Sequence, residues 1–291
     1  MNSKIERKTD GTIVIDISIP WKKVQENYQK TVEDLGKEME IKGFRKGKAP
    51  IALVEKSLKK SSIYEEILRN LIPEVYVEVV KANALKPIVN PQIKVISLEE
   101  GKDWEIQAMV CELPEVVLGD YKKLIAEETA GDKIWVPGKE EKQEDKEKTE
   151  DEKLQKIFNV LLKNAKITLP EMLASEEVNR MLSRLIEQTE KLGITVEQYL
   201  VSVGKTSEQV KEEYRHQAEE TLELELILGK IADLEGIKVE DEEVEKMLAA
   251  VPDEKSRESL NSPSQTAYLK QLLRKRKVID LLLKENIIKP E

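Results

Sequence analysis

Ile13, Ile15, Ile17 and Ile19 alternate with Val14, Asp16 and Ser18. Successive side chains of an extended chain point to opposite faces, so this spacing predicts a strand with one buried face. Residues 4–19 therefore read as strand, punctuated by the Asp10-Gly11 turn signal. Pro20 ends it, and residues 21–39 take a helical period with Val24, Tyr28, Val32 and Leu35 on one side. After Pro50, which suits the first position of a helix, a short helix is expected over residues 52–58. A second helix is expected to open at Ser62-Ile63-Tyr64-Glu65, a capping-box pattern. Its stripe of Ile63, Ile67, Leu71, Val75 and Val79 runs past Pro73, which should kink the helix and not end it. Residues 85–113 return to strand, with runs at 92–97 and 104–110 on either side of the hairpin connection Glu99-Glu100-Gly101-Lys102. One sheet covered on one face by two or three helices is an α+β head, placed at residues 1–118.

Beyond the head the pattern changes. Residues 114–124 read as extended, and residues 127–138 have no period. Residues 139–153 hold five lysines against eight acidic residues and no apolar side chain, which reads as a solvated linker or the start of an exposed helix, and residues 119–150 are assigned as a charged extended linker. Trp135 stands alone there and reads as an anchor of the linker. From Asp151 onward the chain is helical. Leu154, Ile157, Phe158, Leu161 and Leu162 form one stripe, and a helix after Pro170 runs to a stop at Gly193. Thr195-Val196-Glu197-Gln198 is a capping box that opens a short helix to Gly204. Residues 206–235 form the longest helix, followed by helices at 241–250 and 264–286. The fold class is thus multidomain, an α+β head followed by an all-α domain at 151–291.

Composition narrows the chemistry. Charged residues make up 36% of the 291, aromatics only 4%, and the net charge is −9. Over residues 42–60 the sign reverses. Lys42, Arg45, Lys46, Lys48, Lys56, Lys59 and Lys60 stand against the single acid Glu55, and a local reversal of this kind favours an electrostatic docking patch over a merely solvated face. The second basic run, residues 274–277, reads as solvated residues on a helix whose Leu272, Leu273, Val278 and Leu281 face inward. Met172, Met181 and Met247 read as core residues before adaptable contacts. One cysteine, Cys111, in a strand, and one histidine, His216, on a charged helix, rule out an internal disulfide, a nucleophile–base pair and an ordinary metal site. No cofactor is expected. Gly43 to Lys48 lacks the spacing and the Ser or Thr of a phosphate-binding loop. No stretch approaches a membrane span, and the polar N-terminus carries no secretory signal, so the expected compartment is cytoplasmic.

The chain is organised around Gly43-Phe44-Arg45-Lys46-Gly47-Lys48-Ala49-Pro50, where one of only two phenylalanines lies among cations between two glycines. A loop so built presents a flat aromatic, a forked cation and flexible point charges to an acidic or phosphate-rich surface. This octapeptide resembles the ribosome-docking signature of the trigger factor family, bacterial chaperones that meet nascent chains at the exit tunnel. The resemblance covers the head and, more weakly, the helical part.

The resemblance implies docking on the large ribosomal subunit, both protein and rRNA, through Gly43, Phe44, Arg45, Lys46, Gly47 and Lys48. It also implies that a helical arm domain holds nascent or unfolded polypeptide, and that the free protein forms a homodimer. Family members usually carry a prolyl isomerase domain of the FK506-binding type between head and helical part. Here only the charged linker occupies that place, and the aromatics beyond Tyr121 (Trp135, Phe158, Tyr199, Tyr214 and Tyr268) are too scattered to cradle a proline ring. The expectation is therefore an ATP-independent holding chaperone with no catalytic residues. A cryptic prolyl isomerase and an RNA-binding scaffold are the alternatives.

Overall fold

The computed structural model describes residues 2–41, 44–129, 143–250, 253, 257, 260 and 262–285. By internal contacts the chain divides into two compact units, one of residues 1–113 with 170–173, the other of residues 114–169 with 174–291.

In the first unit, β1 (Asn2–Arg7) and β2 (Thr12–Ile19) form a hairpin about the Asp10-Gly11 turn. Gly11 takes φ +84°, and Asp10 Oδ1 accepts from the Thr12 N–H at 3.0 Å. β3 (Gln92–Ser97) and β4 (Trp104–Cys111) complete an antiparallel sheet of order β1-β2-β4-β3. Register decides the core: Ile13, Ile15, Ile17 and Ile19 lie opposite Val110, Ala108, Ile106 and Trp104, and all eight are buried. Onto this face pack α1 (Trp21–Glu38) and α3 (Lys60–Ala82), with Val24 and Val32 from one and Ile63, Ile67, Leu71, Val75 and Val79 from the other. Trp104, Trp21, Tyr64 and Tyr28 stack as a chain of tilted and edge-on rings 5.1 to 6.5 Å apart.

Two local expectations are corrected. The helix α2 (Ile51–Ser57) begins after Pro50, which stands at its N-cap with ψ 139°. The Pro50 carbonyl accepts from the Leu53 N–H, a task open to proline because it needs no N–H of its own. Ser62 caps nothing either. α3 starts at Lys60 with an extended Lys59 before it, because the break between α2 and α3 falls where Leu58 turns into the core, and Ser62 is left inside the first turn. The first free N–H of α1 is met from a distance, where Asp103 of the β3–β4 connection accepts from Trp21 at 2.9 Å.

In the second unit, β5 (Val116–Val117) pairs with β6 (Lys166–Ile167), a two-residue ribbon with no signature in sequence. The extended reading of residues 114–124 holds only as far as this ribbon, and α4 (Tyr121–Thr129) is helical. Leu118, Tyr121 and Ile125 are buried against α5 (Gln143–Asn164), which begins inside the expected linker. Trp135 lies outside the described residues. There follow α6 (Glu171–Lys191), α7 (Val196–Val203), α8 (Ser207–Leu234), α9 (Asp241–Ala249) and α10 (Pro263–Glu285). The expected box at Thr195 and Gln198 is formed, with Gly204 in the left-handed region closing α7, and Thr206 and Gln209 repeat it on α8.

Candidate functional site

The signature loop lies between α1 and α2. Its geometry is fixed by backbone hydrogen bonds. The Phe44 N–H donates to the Ile41 carbonyl at 2.9 Å, and the Lys48 N–H to that of Arg45 at 2.9 Å. Gly47 has φ +71° while Lys46 stays at negative φ, which makes residues 45–48 a turn of type II with glycine at the position that calls for it. A Cβ on Gly47 would lie 2.9 Å from the Lys37 carbonyl oxygen, so the loop is folded tightly onto the end of α1. Met39 and Ile41 pack on the core and hold the near end of the loop. Gly43, expected as the first loop glycine, and Lys42 lie outside the described residues.

At the far end α2 is seated by two contacts. Val54 is buried with its methyl groups 3.1 and 3.3 Å from where a Cβ on Gly36 would stand. The Tyr28 hydroxyl donates to Glu55 at 2.9 Å. Burial, reinforced by this bond, pushes the Tyr28 phenol up to about 12.

Between these anchors the side chains of the loop stand in solvent. Phe44 is 43% exposed, and Arg45, Lys46 and Lys48 are exposed beside it. Some cations of the same unit are taken up in ion pairs, although Lys4, Lys22, Lys81 and Lys94 are in none with a described residue. Arg7 pairs with Glu112 at 2.7 Å, Lys23 with Glu74 at 2.9 Å, Lys37 with Asp34 at 2.7 Å, and Lys60, counted in the basic stretch, with Glu100 at 2.9 Å. Arg45, Lys46, Lys48, Lys56 and Lys59 form no ion pair with any described residue, and Glu55 is engaged by Tyr28. The loop therefore presents an exposed aromatic ring and cations that pair with no described residue. Ile51 and Leu53 on α2, 50% and 39% exposed, stand next to it in the chain. The pattern that predicts a short helix over residues 52–58 does not mark them as exposed.

The remaining candidates fall to structural roles. Cys111 is buried in β4. His216 is exposed on α8, 3.5 Å from Glu220. Among the described residues no cluster of His, Cys, Asp or Glu is placed to hold a metal ion. Met172 is buried, whereas Met247 is exposed. The run at 274–277 is not merely solvated. Arg274 donates to the Ile237 carbonyl at 2.9 Å and to Asp233 at 2.5 Å, Lys277 to the Lys238 carbonyl at 2.9 Å and Glu243 at 2.7 Å, and Lys275 pairs with Glu225. Arg274 and Lys277 thereby clamp the connection after α8, and Lys275 ties the same helix to Glu225 within α8. Leu272, expected inward, is 44% exposed, while Val278 is fully buried.

Two family models match this chain. That described as "Bacterial trigger factor protein (TF)" covers residues 1–135, and "Bacterial trigger factor protein (TF) C-terminus" covers residues 138–284. Two residues separate them, so no isomerase domain lies between. A trigger factor of Staphylococcus carnosus is 22% identical over 424 aligned positions, covering 97% of this chain and 96% of the relative. That alignment is longer than this chain, so a long stretch of the relative has no counterpart here. A trigger factor of Clostridium acetobutylicum is 36% identical over 122 residues, 42% of this chain and 28% of the relative. A solved structure described as "Promiscuous Substrate Recognition in Folding and Assembly Activities of the Trigger Factor Chaperone" aligns with TM-score 0.67 and 17% identity over 98% of this chain and 100% of that one, which shows a shared fold.

Proposed function

Because the chain belongs to the trigger factor family, we propose that it is an ATP-independent chaperone that docks on the large ribosomal subunit at the nascent-chain exit through the loop Gly43–Pro50. The observation that carries this reading is the loop itself: a turn anchored to α1 that leaves Phe44 exposed and Arg45, Lys46 and Lys48 in no ion pair with any described residue. Phe44 fills an apolar recess, Arg45 forks onto carboxylates or phosphates, and Lys46 and Lys48 add charge without strict geometry. Gly47, and Gly43 by its position in the signature, shape the backbone.

In this reading residues 1–118 dock, residues 119–150 connect, and residues 151–291 hold unfolded chain. Helix α7 supports the last role. It buries none of its residues, and Val201 is 81% exposed and Val203 41%. Leu192 and Tyr268 are also exposed, at 72% and 61%. Scattered apolar side chains within a surface rich in charge suit weak, sequence-tolerant contacts. The protein works in the cytoplasm and self-associates when free of ribosomes. No helix among the described residues is long and apolar enough to cross a membrane. Catalysis is no part of the reading, since no domain remains in which a prolyl pocket could be built.

The deciding experiment is cosedimentation with large subunits. The triple variant Phe44→Ala/Arg45→Ala/Lys46→Ala is expected to lose binding while keeping its circular dichroism spectrum. Normal cosedimentation of that variant refutes the docking role. A catalytic amount that accelerates proline-limited refolding would instead favour the isomerase alternative.

A further inference from the structure

We propose that the open edge of β3 binds one extended segment of an unfolded polypeptide as a fifth strand, with apolar side chains beside Ile93 and Val95 and an acidic one beside Lys94. This adds a site in the first unit to the holding role assigned above to residues 151–291, and it rests on that role for its ligand.

In the sheet order β1-β2-β4-β3 each outer strand is paired on one side, and no described strand lies on the other. Every second residue of such a strand turns its N–H and C=O away from the sheet. Only another extended backbone offers donors and acceptors at the matching spacing. The two edges are not alike. The buried face crosses the sheet in rows, Val95–Ile106–Ile17–Ser3 and Ile93–Ala108–Ile15–Ile5. At β1 the first row closes on an exposed serine, and Lys4, Glu6 and Arg7 charge the strand, a guard against pairing with another chain. At β3 the row stops at Val95, which lies opposite the buried Ile106 and is nonetheless 43% exposed. Ile93 is partly buried, and the strand carries one charge, Lys94. A fifth strand would cover the flanks of Ile93 and Val95 that the sheet leaves in water. The slip of register between Val95 and Ser97 makes Ile96, 51% exposed, the extra residue of a bulge, so regular pairing is confined to residues 92–95.

Charge and symmetry select the occupant. Lys94 lies on the other face in line with Gln107, whose amide donates to Asp16 at 2.7 Å. Lys94 itself forms no ion pair with a described residue. A carboxylate in the middle of the incoming strand would stand beside it, and opposite charges across strands stabilise the pair. A second copy fits worse, since two β3 strands paired about Lys94 would set two ammonium groups opposite each other. An unfolded chain has no guarded edge and presents extended backbone along its length. The match is to a short segment of alternating apolar and polar residues.

The full chain is titrated by fluorescence anisotropy with a labelled peptide, Thr-Val-Glu-Val-Thr, and separately with reduced, carboxymethylated lysozyme, a chain that stays unfolded. The peptide is also made with alternate amides N-methylated, in each of the two phases. Methylation in one phase is expected to abolish binding and in the other to leave it intact, because one edge of the guest faces β3 and the other faces water. Val95→Lys/Ile96→Lys, which charges the edge and removes apolar surface, should weaken peptide binding by roughly tenfold or more. Lys94→Glu should make Thr-Val-Lys-Val-Thr the preferred peptide. Equal effects of the two methylations overturn the inference, as does parental affinity of the lysine pair. A mass that rises with concentration in the parent but not in the lysine pair overturns it in favour of a second copy. A parent that binds the lysozyme chain but not the peptide overturns the β3 site alone. One that binds the peptide but not the lysozyme chain supports the site and overturns the holding role. Unfolding midpoints keep a folding defect from passing for a binding one, and the methylated peptides test the edge on the parent chain itself.

Discussion

At Gly47 the backbone turns through φ +71°, with the Lys37 carbonyl oxygen 2.9 Å from where a side chain would begin. Both the positive φ and the contact penalise any L-residue, and the second cannot be relieved by a rotamer change because its partner is backbone. Gly47→Ala is therefore expected to lower stability by about 1–2 kcal/mol, read as a fall in the thermal unfolding midpoint. It should also weaken subunit binding although every cation is retained. Unchanged binding would mean that the loop works as a flexible charge carrier. The glycine was readable from the sequence as a site of backbone freedom, but the carbonyl that makes it obligatory comes from α1, ten residues earlier. Ile51 shows the opposite failure: its chemistry was plain, its exposure was not, because exposure depends on what the neighbouring helix covers.

Among the elements, α4 shows how a short helix is held. The Tyr121 hydroxyl donates to Glu235 at 2.6 Å, and the Lys122 ammonium meets the same carboxylate at 2.9 Å, which joins α4 to the C-terminal end of α8. The Tyr121 bond first, and then Lys122, hold the Glu235 carboxyl below the usual carboxylate range. A carboxyl whose pKa is lower folded than unfolded stabilises the fold above its unfolded pKa, and that contribution fades as pH falls through the folded value. Glu235→Gln should consequently lower the urea midpoint at neutral pH, with the gap to the parent closing as pH falls below about 4.3. A gap that stays constant over that range removes the ionic part of the explanation. Local pattern missed α4 because nine residues give only about two and a half helical turns, and its partners Glu235 and Ile157 are distant in sequence. The long stripes of α1, α3 and α8 span enough turns to declare themselves.

For the whole molecule the sign of the salt effect separates two pictures. With net charge −9, long-range repulsion from a ribosomal surface would weaken on screening, so binding would strengthen as salt rises. If the free cations of the loop govern docking, binding weakens as salt rises. Weakening is expected, measured by cosedimentation or fluorescence anisotropy. The division into two units is visible in the sequence as a change from mixed strand and helix to unbroken helix, yet the charged stretch that looked like a linker contributes to the start of α5. A run of Lys and Glu carries no periodic mark, and its helical state follows from continuity with the apolar stripe after it.

By itself the sequence determined the strand alternation, the long helical stripes and the capped helix α7, since each rests on interactions within a few residues of chain. The tertiary structure alone decided which cations are spent on internal pairs and which stay free, which apolar residues are left in solvent, and how α2, α4 and the β5–β6 ribbon are held. Those outcomes depend on groups brought together from remote positions, and no local pattern records them.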